Sequence, residues 1–283
     1  MSTVLTDLLQ LLDLERLEIN LFRGVSRDIG SPQVFGGQVL GQALMAASET
    51  VDPGRLVHSL HAYFLRRGDF KAPIVYEVDR SRDGTSFTNR RVVAIQHGQQ
   101  IFHMSASFQV QEDGPDHQAP MPDVAPPESL DDLATQQRSQ LDRLPAEQRL
   151  FWCQDRPFEF RTVGVLYPGV PRPAVRHIWF RLIDEVADQA LQRVLLAYAS
   201  DFHLLETATL PHGLSVHAGD VTLASIDHGM WFHRPLRLHE WHLYAIISPS
   251  SSGARGMAFG RIFDREGHLV ASTAQEGLMR ERH

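Results

Sequence analysis

The hydrophobic pattern changes period several times along the chain, and the changes mark out its elements. Leucines at 5, 8, 9, 11, 12 and 14, with Asp7 and Asp13 between them, predict an amphipathic helix over 3–14. Residues 16–22 alternate and predict a strand, and 24–33 is loop. Residues 34–50 are small or apolar nearly all round, which predicts a buried helix. Each glycine in it costs about 1 kcal/mol of helix stability relative to alanine. A sheet or a ligand approaching closely at Gly36 and Gly37 is therefore expected. Strands follow over 56–66, 72–82, 86–96 and 100–110, with turn signals at Asp83-Gly84 and His97-Gly98.

The region 112–128 is acidic and rich in proline (Pro115, Pro120, Pro122, Pro126, Pro127), and 129–150 is polar with scattered leucines. This predicts a linker followed by short surface helices. After it the first pattern returns. Strands are predicted over 158–163 and 177–183, a helix over 188–202, and strands over 222–233, 241–248, 254–263 and 268–278. The chain divides into a repeat at 1–111, a linking segment at 112–150 and a second repeat at 151–283. Placing His61 on His228, an offset of 167, puts Tyr63-Phe64-Leu65 on Met230-Trp231-Phe232 and Arg67 on Arg234. The helices align at an offset of 152, with Glu49 on Asp201. A long helix wrapped by a curved antiparallel sheet, twice in one chain, is an α+β double hotdog.

Composition narrows the function classes. With 283 residues, 43% hydrophobic and 22% charged, the chain is ordinary for a soluble globular protein. A net charge of −7, with no basic tract longer than arginine pairs, argues against nucleic acid as a partner. Cys153 is the single cysteine, so neither an internal disulfide nor a cysteine-based metal site is expected, and a reduced, cytoplasmic setting fits. The N-terminus lacks a basic start and apolar block, and no apolar run approaches the ~20 residues of a membrane helix. The C-terminal residues carry no peroxisomal tripeptide. No Gly-x-Ser-x-Gly stretch is present, which disfavours a serine hydrolase of the α/β type.

Candidate chemistry lies mainly in the second repeat. Leu191, Val194, Tyr198 and Asp201 follow the spacing of one helical face, so Asp201 extends an apolar stripe. An acid so placed is partly desolvated and becomes a better base near neutral pH. It also opposes the dipole at the end of its own helix. Ser225 stands in a strand, and Gln275 places an amide in a small, apolar run where it needs partners or a ligand. At the offsets above their counterparts are Glu49, His58 and Phe108, which suggests one working site and one degenerate copy. Asp227 shares a face with Ser225 and is the competing base. The fifteen histidines form no zinc-binding pattern: His58 and His61 point to opposite faces, as do His228 and His233, and His239-Glu-Trp-His242 lacks the needed spacing. His228 and Arg234, matched to His61 and Arg67, read as architectural.

Several long motifs carry a resemblance. Phe35-Gly-Gly-Gln-Val-Leu-Gly-Gln-Ala-Leu44, Leu56-Val-His-Ser-Leu-His-Ala-Tyr-Phe-Leu65, Arg82-Asp-Gly-Thr-Ser-Phe87, Ile226-Asp-His-Gly-Met-Trp-Phe-His-Arg-Pro235 and Ser272-Thr-Ala-Gln-Glu-Gly277 resemble bacterial acyl-CoA thioesterase II. The resemblance implies hydrolysis of acyl-CoA by an Asp, a Ser or Thr, and a Gln, here Asp201, Ser225 and Gln275. Asp201 would act as base on a water that Ser225 and Gln275 orient, with backbone N–H groups near Gly36-Gly37 receiving the oxyanion. No cofactor is implied, since coenzyme A is part of the substrate. Arg66, Arg67, Arg90, Arg91 and Arg255 are candidates for its phosphates without a choice among them. A homo-oligomer, dimer or tetramer, is expected. Two other readings remain: a hotdog-fold enoyl-CoA hydratase or dehydratase using Asp201 and His203, and a non-catalytic acyl-CoA-binding regulator.

Overall fold

Strands that alternate in burial assemble into one antiparallel sheet whose inner face covers two central helices. The computed structural model describes residues 1–29, 33–138, 155–164, 169–216 and 218–282. In the first repeat the elements are α1 (Thr3–Leu12), β1 (Glu15–Glu18), β2 (Leu21–Gly24), α2 (Gly36–Ser48), β3 (Arg55–Phe64), β4 (Ile74–Asp83), β5 (Phe87–Gln96) and β6 (Gln99–Val110). After a short α3 (Leu133–Arg138) come β7 (Phe158–Thr162), β8 (Val175–Leu182), α4 (Gln189–Ser200), β9 (Val221–Ser225), β10 (Asp227–Phe232), β11 (His242–Ser252), β12 (Arg255–Phe263) and β13 (Leu269–Glu281). The order across the sheet is β1-β2-β4-β5-β6-β3-β10-β13-β12-β11-β8-β7, with β9 paired to β13. It is palindromic about the β3–β10 pair, so the fold is an α+β double hotdog. Among the described residues no helix is long and apolar enough to cross a membrane.

Three expectations change in detail. Residues 16–22 form a hairpin of β1 and β2 rather than one strand. The surface helices reduce to α3 and a single turn at Pro127–Ser129, while 139–150 and Cys153 lie outside the described residues. The proline-rich segment has a core of its own. Met121, Val124 and Leu130 pack on Trp179, Trp241 and Phe263, and Trp179 Nε1 donates to the Ala125 carbonyl at 2.9 Å. The segment thus lies as a strap on the second repeat.

The register shows how closely the repeats correspond. Pairing shifts between Val57 and Ser59, Asp79 and Arg82, and Ala94 and Ile95 in the first repeat. In the second it shifts between Ser225 and Asp227, Ile247 and Ser250, and Ile262 and Phe263. The offset is constant at 168 (225 less 57, 247 less 79, 262 less 94). For the last strands it is 169, because Phe108 lies opposite Val57 and Gly277 opposite Ser225. The strand ends repeat as well. Leu65 N and Arg66 N both donate to the Ile101 carbonyl, as His233 N and Arg234 N do to that of Val270.

The expected offset of 167 is therefore one residue short. A one-residue slip exchanges the two faces of a strand. His61 is exposed and His228 is 1% exposed, so they cannot be equivalent. The structural match sets Tyr63 on Trp231, both outward, and Leu60 on His228, both inward. Ser225 matches Val57 rather than His58, and Gln275 matches Ala106 rather than Phe108.

Packing of α2 on α4 explains the glycines. A Cβ on Gly37 would overlap the Tyr198 carbonyl, and one on Gly41 would lie 3.0 Å from Leu12 Cδ2 and 3.5 Å from Tyr198 Cβ. The close neighbour is the other helix, where the sequence suggested a sheet or a ligand. α4 starts from Asp188, whose carboxylate accepts from Leu191 N at 2.6 Å and so caps the helix. On the far side of α2, Gln42 Nε2 donates to the Leu11 carbonyl at 2.6 Å and Tyr76 donates to Gln42 Oε1 at 2.7 Å, which ties α1 and β4 to the same helix.

Gly37→Ala is expected to lower the unfolding free energy by about 1–3 kcal/mol through overpacking, read as a fall in Tm. Gly114→Ala, where an added Cβ meets nothing within 4 Å, is the matched control and should leave Tm unchanged.

Candidate active site

Two strands and one helix end bring the three expected side chains together. Gln275 lies on β13, two residues from Gly277, which pairs with Ser225 of β9. That diagonal places the two side chains within reach on one face. Asp201 ends α4 above them. Gln275 Nε2 donates to Asp201 Oδ1 at 2.7 Å and to Ser225 Oγ at 3.0 Å. A carboxylate only accepts, so the amide nitrogen must face it. Both amide hydrogens are then used. Ser225 accepts one of them and keeps its own proton to donate elsewhere. Gln275 is fully buried, and the Asp201 side chain is 7% exposed. Gln275 Oε1 is a buried acceptor with no partner among the described residues.

Asp227, the competing base, goes elsewhere. The predicted strand over 222–233 is broken at Ile226 into β9 and β10, because the register shift adds one residue opposite Glu276. Asp227 Oδ1 accepts from Glu276 N at 2.6 Å and serves to close the bulge. The bulge also ends the simple alternation that put Asp227 on the face of Ser225.

Asp201 meets the start of the opposite helix. A Cβ on Gly36 would lie 2.6 Å from Asp201 Oδ2 and 3.2 Å from the Phe64 ring. Gly36 opens α2, where the first N–H groups lack intrahelical partners. The acid that opposes the dipole of α4 therefore sits in the favourable field of α2, an interaction on the order of 0.3–2 kcal/mol. Phe35 packs on Tyr198 and Phe202 with ring centroids 5.3 Å and 4.5 Å apart, and holds the helix start in place.

His228 is the neighbour that the one-residue slip concealed. Its Nε2 lies 2.9 Å from Ser200 Oγ, and its Nδ1 lies 4.0 Å from Asp201 Oδ1 without a hydrogen-bond partner among the described residues. Burial pushes its pKa below the ordinary histidine value, while Asp201 and Asp227 oppose that shift. Tyr244 donates to the Ser200 carbonyl at 3.1 Å and lies 2.8 Å from Thr273 Oγ1; burial drives its hydroxyl pKa well up.

The first repeat shows what the same fold holds at the matching positions. Inward positions holding Ser225, His228, Thr273 and Gln275 in the second repeat hold Val57, Leu60, Met104 and Ala106 in the first, all buried. Glu49, the counterpart of Asp201, is exposed. Arg193 of α4 donates to the carbonyl of Val57, the counterpart of Ser225, and lies 5.7 Å from the Phe232 ring centre. Burial lowers its pKa to about 10. His58 binds Ser107 at 2.8 Å.

Other expected participants are placed outside this cluster. His203 Nδ1 faces Glu206 at 3.4 Å. Arg90 is 2% exposed and bound to Thr50, Arg82, Asn89 and Asp83, which marks it as structural. Arg255 pairs with Glu276, while Arg66, Arg67 and Arg91 stay exposed.

Comparison with known proteins agrees over the whole length. The family described as acyl-CoA thioesterase matches residues 148–278, and the acyl-CoA thioesterase N-terminal domain matches 25–109. The chain is 44% identical over 283 residues to acyl-CoA thioesterase 2 of Haemophilus influenzae, covering 99% of each. It is 39% identical over 288 residues to human acyl-coenzyme A thioesterase 8, covering 95% of this chain and 87% of that one. A crystal structure of an acyl-CoA thioesterase II from Mycobacterium marinum superposes with a TM-score of 0.80 at 41% identity, covering 97% of this chain and 98% of that one.

Gly36→Ala is expected to displace the Asp201 carboxylate and break its bond to Gln275. A crystal structure of the variant showing Asp201 Oδ1 still within hydrogen-bond distance of Gln275 Nε2 would refute this placement of the helix start.

Proposed function

Because the chain belongs to the acyl-CoA thioesterase II family, we propose that it hydrolyses acyl-CoA to a free fatty acid and coenzyme A with water activated by Asp201. The observation that carries the residue assignment is the Gln275 amide, which bridges Asp201 Oδ1 and Ser225 Oγ in a site that is almost closed to solvent. In this reading Asp201 takes a proton from the water as its oxygen attacks the thioester carbonyl. The oxyanion is received at the N-terminus of α2, by the N–H groups of Gly36 and Gly37. When the C–S bond breaks, the proton on Asp201 passes to the departing thiolate. Ser225 donates its remaining proton to the attacking water or to the carbonyl. Gln275 holds the acid and the hydroxyl at fixed separation through the two hydrogens of its amide nitrogen.

The reaction needs no metal and no cofactor of its own. The acyl chain is expected beside α4, where a cavity of about 40 Å³ lies between α1 and Phe158, Phe160, Tyr198 and Phe202. The outer sheet face exposes Tyr63, Leu65, Trp231 and Phe259, which supports assembly as a dimer or tetramer. The single cysteine supports a reduced, cytoplasmic setting. A hydratase is less favoured, since His203 is engaged by Glu206.

Thiol release from a panel of saturated acyl-CoAs tests the reading. Asp201→Asn should cut kcat by about 10²–10⁴-fold, the range for loss of a positioned base. Activity on enoyl-CoA without thiol release would point to hydration instead. Full retention of rate in Asp201→Asn would remove Asp201 from the mechanism.

A further inference from the structure

The two repeats form an internal control for each inward-facing residue. Leu60 is fully buried where His228 stands in the second repeat, so the fold does not need a polar group there. The three other exchanges of this kind, at Ser225, Thr273 and Gln275, all border the Asp201 region. His228 belongs to the same set, and nothing in the proposed mechanism uses it.

Its proton can be placed from its neighbours. Ser200 has one hydroxyl hydrogen, and its Oγ lies 2.9 Å from the Ala197 carbonyl, one turn back in α4. That carbonyl only accepts, so the hydrogen goes there. Tyr244 gives its hydrogen to the Ser200 carbonyl and accepts from Thr273. His228 Nε2 must then donate to Ser200 Oγ, which leaves Nδ1 as an unprotonated acceptor aimed at a carboxylate. Two acceptors facing each other across 4.0 Å repel unless a donor lies between them. Arms of about 2.8 Å spanning that distance meet at roughly 90°, close to the opening of a water molecule.

We propose that His228 Nδ1 and Asp201 Oδ1 together hold the hydrolytic water, each accepting one of its hydrogens. This rests on Asp201 being the base. The shared grip aims the oxygen lone pair away from both residues and toward the thioester carbon. Asp201 takes its hydrogen as the C–O bond forms. The other hydrogen stays on the new hydroxyl, bound to His228, which neither gains nor loses a proton. Protonation of His228 would turn the acceptor into a donor and release the water. The charged groups facing it are the carboxylates of Asp201 and Asp227, while burial keeps the ring neutral. Ser200, Gln275 and Ala62 of β3 bring no further charge to it.

His228→Leu copies the residue of the sister repeat and is expected to fold. Thiol release from a saturated acyl-CoA by the full chain should then show kcat reduced on the order of 10- to 100-fold with KM little changed. His228→Asn, which keeps an acceptor near the Nδ1 position, should recover part of that loss. In the wild type two groups must be unprotonated, so the acid limb of kcat should be steeper than in His228→Leu. Retention of kcat within twofold, a change in KM alone, or an equal loss with an unchanged acid limb would overturn the proposal. Should His228→Leu not fold, His228→Ala, which also removes the acceptor, decides by the same criteria. Asp201→Asn is measured alongside. Its retention of rate would remove the reading beneath the proposal, whereas its inactivity beside a fully active His228→Leu would remove His228 alone.

Discussion

The contact of α2 with α4 sets the positions on which the site depends. Gly37 lies against the Tyr198 carbonyl, and a side chain at Gly37 would force the helices apart. At this separation the start of α2 reaches the end of α4, so that Gly36 abuts Asp201. Asp201 is then held from two sides, by the field of a foreign helix and by the Gln275 amide. Neither repeat contains this arrangement alone. The helix start comes from the first, and the acid, hydroxyl and amide come from the second.

The sheet makes that arrangement stiff. β3 and β10 pair directly, so one continuous sheet of both repeats surrounds the helices. Buried residues of both halves form one apolar cluster, which couples their stability. The register shifts recur at a constant offset, which means that the bends in the sheet were kept while the inward side chains changed. One of these shifts shapes the candidate site. At Ser225–Asp227 it turns Ser225 toward Gln275 and commits Asp227 to the backbone.

Much of this was legible in the sequence. Helices, most strands and the duplication follow from periodicity, whereas the grouping of Asp201, Ser225 and Gln275 came from the family resemblance carried by the long motifs. The register between the repeats did not follow. Placing His61 on His228 also sets Arg67 on Arg234, and these identities outweighed the true match of Phe64 with Phe232. Bulges are invisible in a hydrophobic pattern, because one extra residue only shifts the alternation. The slip had a chemical cost: it made His228 look shared, when its true counterpart is Leu60. The meeting of two helix ends was equally hidden, since glycines at 36, 37 and 41 signal a close approach without naming the partner. The strap at 112–130 escaped notice because three apolar residues among prolines make no periodic signal.

The buried Arg193 of α4, which donates to the Val57 carbonyl of the first repeat, has a historical meaning. A fused pair of identical halves would present two equal clefts, each needing its own acid, hydroxyl and amide. With a guanidinium against Val57, the lining of the first repeat answers to packing. The start of α2, in the same repeat as Val57, did not gain that freedom, because it abuts Asp201 of the other repeat. Mutational tolerance should therefore run along the two ends of α2 unequally, strict at Gly36 and Gly37 and permissive at Glu49, although both ends belong to the first repeat.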